Sequence, residues 1–340
     1  MPLAARPQFD WRLRTRTLTL GPRTLIMGIL NATPDSFSDG GRFVDPRVAL
    51  TQALQMLDDG ADILDLGGES TRPNATAITP AEEQTRALPI LRAIIKVRPE
   101  ATLSIDTYHA ETARLAIEAG AEIVNDVSGF LWDDAMAATC ASLNCGVVLM
   151  HTRGRPQQWR SLPALAPADV APLVLRELSV RIDAALAARI HRNAIVIDPG
   201  FGFGKMLDEN FPLLSHLDAL HTLGFPLLAG LSRKGFLRRI KSQDELTTSG
   251  APHLDSEMRE SSHKLPTPAT NPGAESTAGD PKPALSLPKG LASETLVPTT
   301  AANTAAILAG AHILRVHDVR PAREAADIAD RILNTETIPT

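Results

Sequence analysis

The chain has 340 residues, 44% hydrophobic and 21% charged, with a formal net charge of -5, close to the averages of a folded globular protein. That length admits two domains or one large barrel. The acidic balance excludes the broad basic surface needed for general attraction to nucleic acid or anionic lipid, so neither is expected as a partner.

Residues 1–20 read as an N-terminal extension. They lack the apolar core of a signal peptide, and no run in the chain reaches the about 18 apolar residues of a membrane span. A cytoplasmic location is the expectation. The two cysteines, Cys140 and Cys145, have no histidine at ligand spacing and no second pair, which favours buried structural thiols over a zinc site or a disulfide framework.

From residue 25 onward, short apolar runs recur, each closed by polar residues. They are LIMGILN (25–31), ADILDLGG (61–68), TLSIDT (102–107), EIVNDVSG (122–129), GVVLMHTR (146–153), AIVIDPGFG (194–202), PLLAGLSRK (226–234) and HILRVHD (312–318). Uniformly apolar runs fit parallel strands covered on both faces. Segments of helical periodicity lie between them, among them VALTQALQMLDDG, EEQTRALPILRAIIKV, HAETARLAIEAG, LVLRELSVRIDAALAARI and TAANTAAILAG, several ending in glycine, a common helix stop. Eight such alternations predict an α/β fold of the (β/α)8 TIM barrel type over 21–333, one domain, with 334–340 as a tail. An open doubly wound sheet is the alternative.

One stretch breaks the pattern. Residues 241–298 hold eight Pro and eight Ser with no aromatic residue and no Ile, a composition that buries too little apolar surface to offset ordering entropy. It reads as a disordered insertion between the seventh and eighth strands, tolerated because loop-closure cost grows slowly with length.

In a barrel of this type, function sits where strands end and βα-loops begin. The closing residues there are Asn31, Asp35 and Asp39; Asp65, Glu69, Ser70, Thr71 and Arg72; Asp106; Asn125 and Asp126; Asp198; Ser232, Arg233 and Lys234; and Arg315 with His317. A single such Asp more often caps a turn or pairs with a cation than catalyses. Several on one rim offer acceptors for a ligand edge rich in N–H donors. The cations after the seventh and eighth strands lie where barrels commonly bind phosphate. Together they suit a ligand with a donor-rich heterocycle and an anionic tail.

The motifs LNATPDSFSDGG, LDLGGESTRP, SIDTY, NDVSG, DPGFGFGK, GLSRK and RVHDV resemble, in order, those of the dihydropteroate synthase family. The resemblance spans roughly 20–240 and 299–333. It implies a transferase of folate biosynthesis and sulfonamide target, usually a homodimer, that joins 6-hydroxymethyl-7,8-dihydropterin diphosphate to 4-aminobenzoate with magnesium, releasing diphosphate. On that resemblance Asp106, Asn125, Asp198 and Lys234 bind the pterin. Asn31, Thr71, Arg72, Arg315 and His317 hold the diphosphate, with Mg2+ near Asn31. Phe37, Thr71, Pro73, Phe203 and Ser232 shape the aminobenzoate site. Asp35, Lys234, Arg315 and His317 would serve a dissociative substitution. The chain departs from the family pattern at Asn74 after Pro73 and at Gly235 after SRK. A pterin-dependent methyltransferase barrel shares the pterin contacts but needs no diphosphate-binding half, and a silent pterin-binding paralogue would lack Lys234 or Arg315.

Overall fold

In the computed structural model, residues 6–32, 46–70, 77–237 and 289–335 are described. The chain begins with an antiparallel hairpin, β1 (Phe9–Arg12) and β2 (Thr17–Leu20), pairing Phe9 with Leu20 and Arg12 with Thr17. Two strands alone are marginal in water, so this pair depends on what it covers. Trp11, Leu13 and Leu20 are buried against Leu25, Met27, Ile63, Ile123, Val148, Val196, Leu228 and Ile313, side chains contributed by all the barrel strands but one. The Trp11 indole N–H donates to the Ala194 carbonyl at 2.9 Å. Gly146 makes room for the plug, since a Cβ there would lie 2.5 Å from Leu13 Cδ2. The segment read as an extension is therefore the stopper of the barrel floor.

The barrel strands are β3 (Leu25–Asn31), β4 (Ile63–Gly67), β5 (Thr102–Asp106), β6 (Ile123–Asp126), β7 (Gly146–Met150), β8 (Ile195–Asp198), β9 (Leu228–Ala229) and β10 (Ile313–Val316). Each falls inside one of the eight apolar runs. All neighbours pair in parallel in the order β8-β7-β6-β5-β4-β3-β10-β9. A parallel bridge between Ile197 and Leu227 joins the two ends, so the sheet is closed and the open alternative is excluded.

Helices α1 (Pro46–Asp58), α2 (Pro80–Val97), α3 (Ala110–Glu118), α4 (Met136–Leu143), α5 (Pro167–Ala187), α6 (Asn210–Ser215), α7 (Lys289–Leu308) and α8 (Val319–Leu333) follow the strands in turn. Local chemistry fixes their ends. At α2, Thr79 Oγ1 accepts from the Glu82 N–H at 3.3 Å and Glu82 Oε2 accepts from the Thr79 N–H at 2.9 Å, a capping box with Pro80 in the first turn. Along α8, Val319, Ala322, Ala326, Ala329 and Leu333 are buried, spaced by three and four as one helical face requires. That helix is fastened to the chain start by Arg6, which is buried and donates to Asp330 at 2.5 Å, Thr24 Oγ1 at 2.6 Å and the Ala311 carbonyl at 2.8 Å.

The expected boundary of the insertion at 298 is corrected by α7. This helix starts at Lys289 and contains Pro298, one of the prolines counted as a sign of disorder. Thr295 and Thr299 are buried on it, so packing overrides the local composition. The remainder of that segment, 241–288, lies outside the described residues.

Candidate active site

The polar residues at the C-terminal ends of the barrel strands are linked to one another, and Asp65 is where they meet. Asp65 sits within β4, fully buried, where an isolated carboxylate would be costly. Its Oδ2 accepts from Arg315 Nε at 2.6 Å and from Asn125 Nδ2 at 2.9 Å. The same guanidinium donates through Nη2 to Asp106 Oδ2 at 2.5 Å. Strands β4, β5, β6 and β10 are thereby locked at the mouth by one cation between two carboxylates. With one Asn125 amide N–H committed to Asp65, its side-chain carbonyl and second N–H are the groups left to meet a ligand.

Opposite them, Asp198 ends β8, and its Oδ1 accepts from the Gly200 N–H at 2.7 Å. Lys234 lies over the Phe203 ring with Nζ 4.2 Å from the centroid, a cation–π contact, and a Cβ on Gly202 would lie 3.9 Å from the same Nζ. Gly230 leaves space beside Asp198, since a Cβ there would lie 3.7 Å from Asp198 Oδ2.

Burial dominates the electrostatics of this mouth. It pushes the Asp106 carboxyl up to about 7, with Arg315 opposing and Asp65 reinforcing the shift. Burial also raises Asp198, against the Gly200 N–H and Lys234. It lowers the Lys234 ammonium to about 8, partly offset by Asp198. For Arg315 burial works against the charge, yet Asp65 and Asp106 outweigh it and hold the guanidinium above its ordinary value. The buried carboxylates of this mouth favour a ligand edge that donates.

Of the residues expected in the site, Asn31, Asp106, Asn125, Asp198, Phe203, Ser232, Lys234, Arg315 and His317 are described, each at or just beyond a strand end. Asp35, Phe37, Thr71, Arg72 and Pro73 lie outside the described residues. Ser232 Oγ accepts from the His317 backbone N–H at 3.2 Å and sits 3.0 Å from His317 Nδ1, so it orients that imidazole. Two details differ from the simple division of the rim. Arg315 is held by the carboxylate half. Arg233, with a left-handed φ of 58°, is paired with Asp318 at 2.7 Å and donates its N–H to Thr299 Oγ1 at 3.2 Å, which makes it a structural cation rather than an anion ligand.

Among the described residues, Asn31 Oδ1 and Asp106 Oδ2 lie 3.9 and 3.6 Å from where a Cβ on Gly67 would be, the second already accepting from Arg315. These are hard oxygen donors of the kind magnesium takes. Glu69, Glu83 and His109 also bring ligand atoms within 4.8 Å of one another. That trio already stitches the loops after β4 and β5: Glu83 Oε2 accepts from Thr107 Oγ1 at 2.9 Å and lies 3.0 Å from His109 Nδ1, and Glu69 Oε1 accepts from the Tyr108 hydroxyl at 2.9 Å.

Residues 27–265 match the model of the pterin binding enzyme family. The dihydropteroate synthase of Synechocystis sp. is 41% identical over 237 residues, covering 70% of this chain and 78% of the relative. Among solved structures, the Xanthomonas albilineans dihydropteroate synthase with 4-aminobenzoic acid has a TM-score of 0.73 at 35% identity, covering 98% of this chain and 100% of that one. The same organism's enzyme in complex with 7,8-dihydropteroate has a TM-score of 0.70 at 33% identity with the same coverage. A closed barrel, a mouth of linked carboxylates facing Lys234, and relatives that agree along most of the chain lead to one conclusion: the chain belongs to the dihydropteroate synthases of the pterin binding enzyme family.

Proposed function

We propose that the mouth of this barrel performs the dihydropteroate synthase reaction by dissociative substitution, with the linked set Asp65, Arg315, Asp106 and Asn125 facing Asp198 and Lys234 as the observation that carries the reading. Asp106, the Asn125 carbonyl and Asp198 accept from the amino group and ring N–H groups of the pterin, and Lys234 donates to its oxygen or nitrogen. Asn31, Thr71, Arg72, Arg315 and His317 hold the diphosphate. Phe37, Thr71, Pro73, Phe203 and Ser232 frame 4-aminobenzoate.

In the reaction the C–O bond to diphosphate stretches first and its electron pair leaves with the phosphate. The pterin methylene becomes cationic, and the arylamine nitrogen then forms the new C–N bond. The buried carboxylates of Asp106 and Asp198 stabilise that cation because they are fixed before the charge develops, and Asp35 adds a further negative charge. Negative charge accumulates on the diphosphate, which His317, oriented by Ser232, and Arg315, reaching from the carboxylates that hold it, stabilise. The adduct nitrogen is acidic, so water or phosphate takes its proton and no strong general base is required.

Asn31 fits magnesium as an oxygen donor, and one protein ligand suffices for an ion that keeps several waters. When bound, the ion supplies charge neutralisation at the phosphate oxygens. We also read the chain as a cytoplasmic homodimer. Among the described residues no helix is long and apolar enough to cross a membrane, both cysteines are free and buried, and Val297, Ile328 and Ile332 present exposed apolar surface on α7 and α8 suited to a second copy.

The test is an assay of diphosphate release with each substrate alone and with both. Release that requires both supports the reading, and no release from folded protein with magnesium overturns it.

A further inference from the structure

Lys205 closes the DPGFGFGK motif, yet no step above uses it. It is 4% exposed, and its Nζ donates to the carbonyls of Gly200 at 2.8 Å, Phe203 at 3.3 Å and His151 at 3.5 Å. Three acceptors match the three N–H donors of an ammonium. Among the described residues it forms no ion pair. The charged groups facing it are Asp198, Lys234, Arg181 and Arg153, one carboxylate against three cations, and burial drives its pKa well below that of an ordinary lysine. A desolvated cation in such surroundings is costly, and fold stability is a poor reason to keep it.

What it touches gives a better reason. The turn after β8 is built on Gly200, Gly202 and Gly204, all in the left-handed region with φ of 67°, 79° and 69°. Lys205 gathers both ends of that turn and the end of β7 onto one point. Gly200, whose carbonyl it holds, is the residue whose N–H aims Asp198. Phe203, whose carbonyl it also holds, carries the ring that packs on Lys234 and lies edge-on to Trp159 at 5.3 Å.

We propose that Lys205 is a positioning residue of the reaction, fixing Asp198 for the pterin and Phe203 for the aminobenzoate through the turn it ties, without touching either substrate. This rests on the reading that those two residues meet the two substrates.

The test compares the full chain with Lys205→Gln, which keeps two N–H donors and removes the charge, and with Lys205→Met. Michaelis constants for both substrates are expected to rise about tenfold or more, as small misplacements of aligned groups do, with the melting temperature unchanged or higher. Wild-type kinetics in a folded variant, or a loss of activity that tracks unfolding, overturns the proposal. If both variants fail to fold, the wild-type protein with 15N-labelled lysine decides. A slowly exchanging Nζ resonance that shifts on adding 6-hydroxymethylpterin and 4-aminobenzoate supports the proposal, and a resonance indifferent to both overturns it. Asp198→Asn serves as the control. If it leaves pterin affinity unchanged, the underlying reading fails; if it abolishes affinity while Lys205→Gln has no effect, only the present inference fails.

Discussion

Replacing Asp65 by Asn removes a single charge at the one residue that orients two others. The carboxylate is fully buried and accepts from Arg315 Nε at 2.6 Å and Asn125 Nδ2 at 2.9 Å through the same oxygen. The amide oxygen can take the place of Oδ2 but accepts without charge, and the NH2 group then takes the place of the buried Oδ1, which has no hydrogen-bond partner. Hydrogen bonds to charged groups contribute about 1.5–3 kcal/mol each, and removing one partner of a buried pair costs about 3–5 kcal/mol. Two effects reduce that sum: Arg315 retains Asp106 at 2.5 Å, and Asn no longer carries the desolvation cost of a carboxylate. A net loss of about 2–3 kcal/mol of stability is expected. The kinetic effect exceeds what stability explains, because Arg315 and Asn125 are then held by a neutral acceptor and are less firmly aimed at the mouth, and kcat/KM for the pterin substrate should fall about 30- to 100-fold. Urea unfolding gives the first quantity and steady-state kinetics at fixed 4-aminobenzoate the second. An unchanged unfolding midpoint together with unchanged kcat/KM would refute the argument that Asp65 organises the mouth.

Lys234→Ala should lower turnover without loss of fold, and wild-type kinetics would remove Lys234 from the site. With its ammonium lowered to about 8 by burial, Lys234 loses its proton as pH rises through that value, so kcat/KM for the pterin substrate should decline there; a flat profile to pH 9 would contradict the role. Burial raises Asp126 to about 6 from 3.8, against hydrogen bonds from Ser128 and Phe130. Its folded form thus takes up a proton more readily than its unfolded form, and the stability it contributes is full below about pH 4 and lost as pH rises through about 6. Asp126→Asn should flatten that slope in denaturation curves, and an unaltered slope would assign it elsewhere. Gly200→Ala puts a Cβ 2.0 Å from the His151 carbonyl at a φ of 67° and should destabilise by about 2–4 kcal/mol; a melting temperature equal to wild type would show that the turn is more plastic than its geometry indicates.

The barrel was legible because parallel strands covered on both faces are largely apolar, and the polar residues that close such runs mark the strand ends. The β1–β2 hairpin was not, since RLRTRTLTL carries no apolar run and its inward side chains, Trp11, Leu13 and Leu20 with Phe9 and Leu18 beside them, are scattered; its stability comes from the barrel it plugs. The start of α7 was obscured by Pro298, a residue that packing accommodates. Rim residues could be read one by one, but not their pairing. Arg315 lies 250 residues from Asp65 and 209 from Asp106, and no local spacing encodes such contacts. Asp65 itself carried a usable signal, a carboxylate inside the apolar run ADILDLGG rather than at its end. Arg233 and Lys234 are neighbours in sequence, yet the left-handed backbone at Arg233 turns it to Asp318 while Lys234 faces Phe203.

The central claim is that one side of this mouth takes the pterin. Crystallography of the chain with 7,8-dihydropteroate tests it most directly. The pterin is expected within hydrogen-bond distance of Asp106, Asn125, Asp198 and Lys234, with the aminobenzoyl ring against Phe203. A pterin bound elsewhere, or a mouth that stays empty at saturating ligand, would contradict it.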